Sequence, residues 1–239
     1  MIGKDFLPND FLLFGLDLTD PTDFIYDMIL GIFALYFASR ISKFSIMNDF
    51  FSNWKKFFFF FGIATLLSAL GHLFYNYFHY YGKLPGWVVI PVAIYWIELA
   101  MLSAHDNPKI VKKAKLISLV KLIGVYVVGF VVWLNINPLE KPQLMFLPIT
   151  INTILGLITA VGFYSYKFSK EITSNFKYIG YGILVIFPSA FIFILKINLH
   201  QWFSKNDFSH ILMVFGIAFF FFGVNKIQDG KSRLVKAIV

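Results

Sequence analysis

Residues 112–138 read KKAKLISLVKLIGVYVVGFVVWLNINP. A lysine-rich lead gives way at Leu116 to an apolar run that continues to Asn135, broken by the single charge of Lys121 and closed by an Asn-Pro turn. About 20 apolar residues make a helix of about 30 Å, the thickness of the hydrocarbon layer of a bilayer. A run of this length with basic residues at one end reads as a membrane span with its lysines held at the polar boundary.

The same pattern repeats outward in both directions. Apolar blocks separated by Lys, Asn, Pro and Gly predict spans at 22–42, 57–80, 86–104, 116–135, 143–166, 177–197 and 206–225. The whole chain agrees: 58% of its 239 residues are hydrophobic, 14% are charged, and the mean hydropathy is +0.71. Soluble domains are about 25% charged. Seven spans consume the length, so the expected architecture is an all-α integral membrane bundle, with an interfacial segment at 1–21, the bundle at 22–225 and a basic tail at 226–239. The acidic residues of the first segment break up its apolar run, and no small-residue cleavage site follows, so it is read as retained.

A net charge of +8 would point to nucleic acid in a soluble protein, but the spans account for it. Arg40, Lys43, Lys55, Lys56, the five lysines from Lys109 to Lys121, Lys167, Lys170, Lys177, Lys226, Lys231, Arg233 and Lys236 fall on one side of the bundle. They are sixteen of twenty-one basic residues, and the positive-inside rule then places the N-terminus outside and the C-terminus in the cytoplasm, in a multi-pass protein expected in a bacterial inner membrane. Nucleic acid is not an expected partner; membrane lipid, as solvent or substrate, and protein partners within the bilayer are. With no cysteine, disulfides and thiolate-ligated metals are excluded. A retinal protein would need a lysine inside the last span, which has none before Lys226.

Ionisable groups in hydrocarbon carry an insertion cost of about 2.5–3.5 kcal/mol, so those that are retained mark candidate sites. His72 in the second span, His210 in the seventh and Glu98 in the third stand out. Ser68 lies one helical turn before His72, Asp207 precedes His210 by three residues, and Asp23 and Asp27 are four apart at the start of the first span. His79 is seven residues beyond His72 and is expected on the same face. Imidazoles with carboxylates and an open position suit zinc, which lowers the pKa of bound water to about 7. The competing reading of each residue is a hydrogen bond that locks helix packing.

These residues resemble the CREST superfamily of seven-helix membrane hydrolases, which includes alkaline ceramidases and adiponectin-receptor-like proteins. SALGH, Ser68 to His72, is similar to its SxxxH element in helix two, and His210 matches the last His of its HxxxH element in helix seven. Two departures stand beside the match: Asn206 replaces the first His of that element, and Glu98 stands where the family has Asp. The resemblance implies a zinc-dependent hydrolase of a lipid amide or ester. His72 and His210 would be metal ligands, with Asp207, Asp27, His79 or His200 completing the set; Ser68 would support the oxyanion or the water, and Glu98 would carry the proton. The alternative is a non-enzymatic membrane subunit packed within a larger complex. A proton-coupled carrier using Glu98 and Asp27 is weaker, because the seven unlike spans show no inverted repeat.

Overall fold

The computed structural model describes residues 2–3, 6–137 and 140–230. Most of the expected basic tail, with Lys231, Arg233 and Lys236, lies outside the described residues, as do Lys4 and Asp5. Within them the chain is all-helical apart from one short hairpin, and seven helical stretches are long and apolar enough to cross a membrane. The protein is a multi-pass membrane protein.

The hairpin pairs β1 (Asp10–Leu13) with β2 (Leu16–Thr19) through a two-residue turn in which Phe14 has φ 52° and Gly15 φ 78°. Two positive φ values define the type I′ turn, whose hand of twist matches that of the strands. The hairpin runs directly into α1 (Pro21–Ile41), started by proline in its first turn. The second helix, α2 (Asp49–Leu73), begins where the Asn48 side chain accepts a hydrogen bond from the Phe51 amide at 3.2 Å. It therefore starts eight residues earlier than expected from hydropathy and absorbs Asn53, Lys55 and Lys56. Asn53 donates to the Ser103 hydroxyl at 3.2 Å and the Lys56 ammonium lies 4.0 Å from the centre of the Trp96 ring, so these polar groups have partners inside the bundle.

After α2 comes a short helix, α3 (Tyr75–Phe78), then a tight 3-10 turn at His79–Lys83 and the third span proper, α4 (Leu84–Leu102). Three spans follow, and the chain closes on a seventh. Of these, α5 (Pro108–Asn135) is capped by Asn107, and α6 (Pro142–Gly156) passes through a π-turn at Leu157–Gly162 into α7 (Phe163–Glu171). α8 is Phe176–Ile194 and α9 is Lys205–Asp229. Pro91, Pro148 and Pro188 sit inside α4, α6 and α8, as expected for prolines whose neighbouring helices compensate the lost hydrogen bond.

α1, α2, α8 and α9 pack around an aromatic core in which Trp54, Phe50, Phe57, Phe58 and Phe220 are buried, and Phe37 stacks on Phe221 with centroids 4.4 Å apart. The run FFFFF at 57–61 is thus split, with Phe57 and Phe58 inside and Phe59 outside. Backbones approach closely where Gly62 meets α1: a Cβ there would lie 3.0 Å from the Gly31 carbonyl oxygen. α5 sits at the edge, with Ser118, Val125 and Gly129 its buried residues. The first turn of α1, the last of α2, the start of α4 and the start of α9 share one end of the bundle, beneath the hairpin.

Candidate functional site

That shared end gathers the polar residues. Asp23 and Asp27 come from successive turns of α1, His72 from the last turn of α2, Lys83 from the 3-10 turn, and Asn206, Asp207 and His210 from the first two turns of α9. Asp23 and Asp27 face one way because residues four apart on a helix share a face. Lys83 reaches the group because α2 and the turn touch backbone to backbone: a Cβ on Gly71 would lie 2.5 Å from the Gly82 carbonyl oxygen.

The His72 ring is bracketed by two carboxylates. Its Nδ1 lies 3.1 Å from Asp23 Oδ2 and its Nε2 4.0 Å from Asp27 Oδ2. His210 approaches the same carboxylate from α9, with Nε2 3.4 Å from Asp27 Oδ1. Asp27 therefore stands between two imidazoles, 2% exposed, and its Oδ2 has no hydrogen-bond partner; neither has His210 Nδ1. Asp23 is better supplied, accepting from Asn206 Nδ2 at 2.8 Å and from the Ser204 hydroxyl at 3.2 Å. A proton on His72 Nδ1 donated to Asp23 would select the tautomer whose Nε2 carries a lone pair toward Asp27. The Lys83 ammonium lies 3.3 Å from the same nitrogen and would donate to it in the other tautomer, so Asp23 and Lys83 compete for Nδ1.

Asp20 closes the group at the foot of the hairpin. It has φ 48°, accepts the Asn9 amide at 3.2 Å, and can bring a carboxylate oxygen within 4.8 Å of ligand atoms of Asp23 and His72. Burial, aided by the neighbouring Asp23 carboxylate, pushes its carboxyl above the usual range.

The other expected site residues are distributed differently. Asp207 is committed to the start of α9, where its Oδ2 accepts the Ser204 amide at 2.6 Å while the Ser204 hydroxyl accepts the Asn206 and Asp207 amides. Its Oδ1 remains buried without a partner. The Ser68 hydroxyl lies against Gly86 at the start of α4. His79 falls in the turn beyond α2, exposed and packed edge-on to Tyr75, because the helix ends at Leu73; it does not share the face of His72. His200 is exposed and accepts the Trp202 amide at 3.1 Å.

Glu98 is separated from the histidines. It lies fifteen residues beyond Lys83, about 22 Å along α4 by helical rise, and four residues from the helix end rather than midway. It is ion-paired with Lys121 of α5, whose ammonium also donates to the Asn152 carbonyl at 3.2 Å. A direct proton exchange between Glu98 and the imidazoles is incompatible with that distance.

Sequence spacing brought His72, His210, Asp23 and Asp27 to one membrane level. It carried no sign of Lys83, Asp20 or Ser204, which enter from turns. No curated protein and no solved structure matches the chain. The family of unknown function DUF6962 has a model that matches residues 22–229, from the start of the first span to the end of the last, and the chain belongs to that family.

Proposed function

We propose that the protein is a metal-dependent intramembrane hydrolase of a lipid amide or ester, with zinc held by His72, His210 and Asp27. The observation that carries this reading is the convergence of two imidazole Nε2 atoms on the two oxygens of one buried carboxylate. Electrostatics favour a cation there. Four carboxylates, Asp20, Asp23, Asp27 and Asp207, converge with the Lys83 ammonium, with Lys205 nearby, and Asp27 Oδ2 is left unsatisfied. Asp20, Asp23 and the Nδ1 face of His72 form an alternative cluster, but Lys83 already supplies positive charge on that face. In this reading the metal sits on the Nε2 face, toward Asp27 and His210, with Asp23 orienting His72 from behind.

Bound zinc would supply Lewis acidity, making water nucleophilic near neutral pH and polarising a carbonyl. The chain's own residues do the rest. Asp23 holds the His72 tautomer, Asn206 and Ser204 hold Asp23, and the hairpin closes the end of the bundle above them. Lipid would approach from the bilayer, since both imidazoles keep a little exposure, 12% for the His72 side chain and 14% for that of His210. The concentration of Arg40, Lys43, Lys109 to Lys115, Lys167 to Lys177 and Lys226 at the opposite end supports an orientation with the site outside and the C-terminus in the cytoplasm.

One observation favours the non-enzymatic subunit: Asn206, where the hydrolases that the sequence resembles have the first His of HxxxH, is spent on a hydrogen bond to Asp23. Metal analysis by mass spectrometry separates the two. About one zinc per chain in detergent-purified wild type, lost in the His72→Ala, His210→Ala double variant, supports the hydrolase and justifies screening lipid amides and esters. Wild type without zinc after loading and washing removes it and leaves the subunit.

A further inference from the structure

The tip of the hairpin carries a contradiction between local preference and sequence. A type I′ turn demands positive φ at both central positions, and Asn-Gly or Asp-Gly satisfies it with least strain. This chain places Phe14 at the first of them, in a left-handed conformation that its side chain disfavours. The side chain is 96% exposed, so the described residues give it little compensating contact. Leu12, at 78%, with Leu13 and Leu16 surrounds it, so the four form an apolar tip on an otherwise acidic segment.

The base of the same hairpin is held firmly. The Tyr77 hydroxyl accepts the Asp17 amide at 2.8 Å, Asn76 donates to Asp10 at 3.1 Å, and Asn9 donates to the Gln201 carbonyl at 2.9 Å. These anchors belong to the end of the bundle where Tyr77, Phe78, Tyr81 and Trp202 are exposed. Exposed Tyr and Trp at the ends of membrane spans mark the level of the lipid headgroups. A four-residue strand reaches only about 13 Å, and α1 begins directly after β2, so the tip stays within about that distance of the level at which the first span starts.

We propose that the tip formed by Leu12, Leu13, Phe14 and Leu16 is a lipid-binding surface seated in the interfacial layer of the protein's own bilayer, continuous with the aromatic belt. The strained Phe14 is retained because its ring gains there what the fold does not give it. Asp20 joins this arm to His72 and Asp23, so the tip and the candidate site belong to the same end of the bundle. The lipid contact itself does not depend on metal or hydrolysis.

The absence of cysteine makes the test direct. Phe14→Cys and, separately, Leu12→Cys are labelled with a nitroxide in nanodisc-embedded protein. Collision with oxygen, which partitions into lipid, is compared with collision with a water-soluble nickel chelate, with Lys43→Cys as the aqueous reference. Oxygen accessibility several-fold above that of the chelate, relative to Lys43, is the expected result at both positions. Leu12 does not occupy the strained turn position, so the test survives a failure of the Phe14 variant. Chelate accessibility equal to that at Lys43 would overturn the proposal. So would spin–spin broadening, which would give the tip to a second copy of the chain.

Discussion

Replacing Asp27 by Asn distinguishes a metal ligand from a packing residue, because the two roles predict different outcomes in metal-free protein. The carboxylate is buried, with one oxygen 3.4 Å from His210 Nε2 and the other unpartnered, 4.0 Å from His72 Nε2. A buried acceptor left unsatisfied costs about 1–3 kcal/mol. If the carboxylate exists to hold a cation, the amide leaves the metal-free protein as stable as wild type, or more stable by up to about that amount. If it exists as one half of a buried ion pair with the imidazoles, its removal costs about 3–5 kcal/mol whether or not metal is present. Zinc at a hundred times its Kd adds about 2.7 kcal/mol to a protein that binds it, which for a chain of this length raises the melting midpoint by on the order of 5–10 °C. The assay is thermal unfolding in detergent, wild type against Asp27→Asn, each with chelator and with zinc. The expected result is a zinc shift in wild type that disappears in the variant, whose midpoint in chelator equals or exceeds that of wild type. Equal zinc shifts in the two proteins, or a variant that melts far below wild type in chelator, refutes the reasoning.

Three further outcomes follow from the same geometry. Asp23→Asn removes the carboxylate behind His72 but keeps an acceptor for Ser204; zinc affinity should fall about 10–100-fold in competition with a chromophoric chelator, and an unchanged affinity would detach Asp23 from the site. Glu98→Gln alone should destabilise the bundle by about 3–5 kcal/mol by stranding the Lys121 charge, whereas Glu98→Leu with Lys121→Met should return it to within about 1 kcal/mol of wild type; additive losses in melting experiments would contradict an ion pair. Gly71→Ala places a methyl 2.5 Å from the Gly82 carbonyl oxygen and should cost about 1–3 kcal/mol while displacing Lys83, whereas Gly124→Ala, with nothing within 4 Å, should melt no lower than wild type.

The spans were legible because hydropathy is a property of sequence windows, and all seven appear where apolar blocks predict them. Their edges were not, because Asn53, Lys55 and Lys56 look like loop residues until the tertiary partners Ser103 and Trp96 are known. The meeting of His72, His210 and Asp27 was readable from helical spacing and membrane depth alone. Lys83 did not stand out, since a 3-10 turn folding back on α2 has no signature in the sequence. Lys121 was taken as a topology marker, yet it lies three turns inside α5 and pairs with Glu98. The hairpin was missed for a different reason: Phe-Gly does not announce the left-handed turn that Asn-Gly would.

The peripheral position of α5 bears on how the protein responds to bilayer thickness. Its 28 residues span about 42 Å against about 30 Å of hydrocarbon, a mismatch that a helix relieves by tilting. With little buried surface, α5 is held chiefly by polar fastenings: Lys121 to Glu98, the Tyr126 hydroxyl to the Val88 carbonyl at 2.7 Å, and the Trp133 indole to the Met145 carbonyl at 3.0 Å. In hydrocarbon such bonds have no water to exchange with, so they behave as pins rather than adhesive. A thinner or thicker membrane would then load α5 at these three pins first and leave the aromatic half of the bundle, with its histidines, in place.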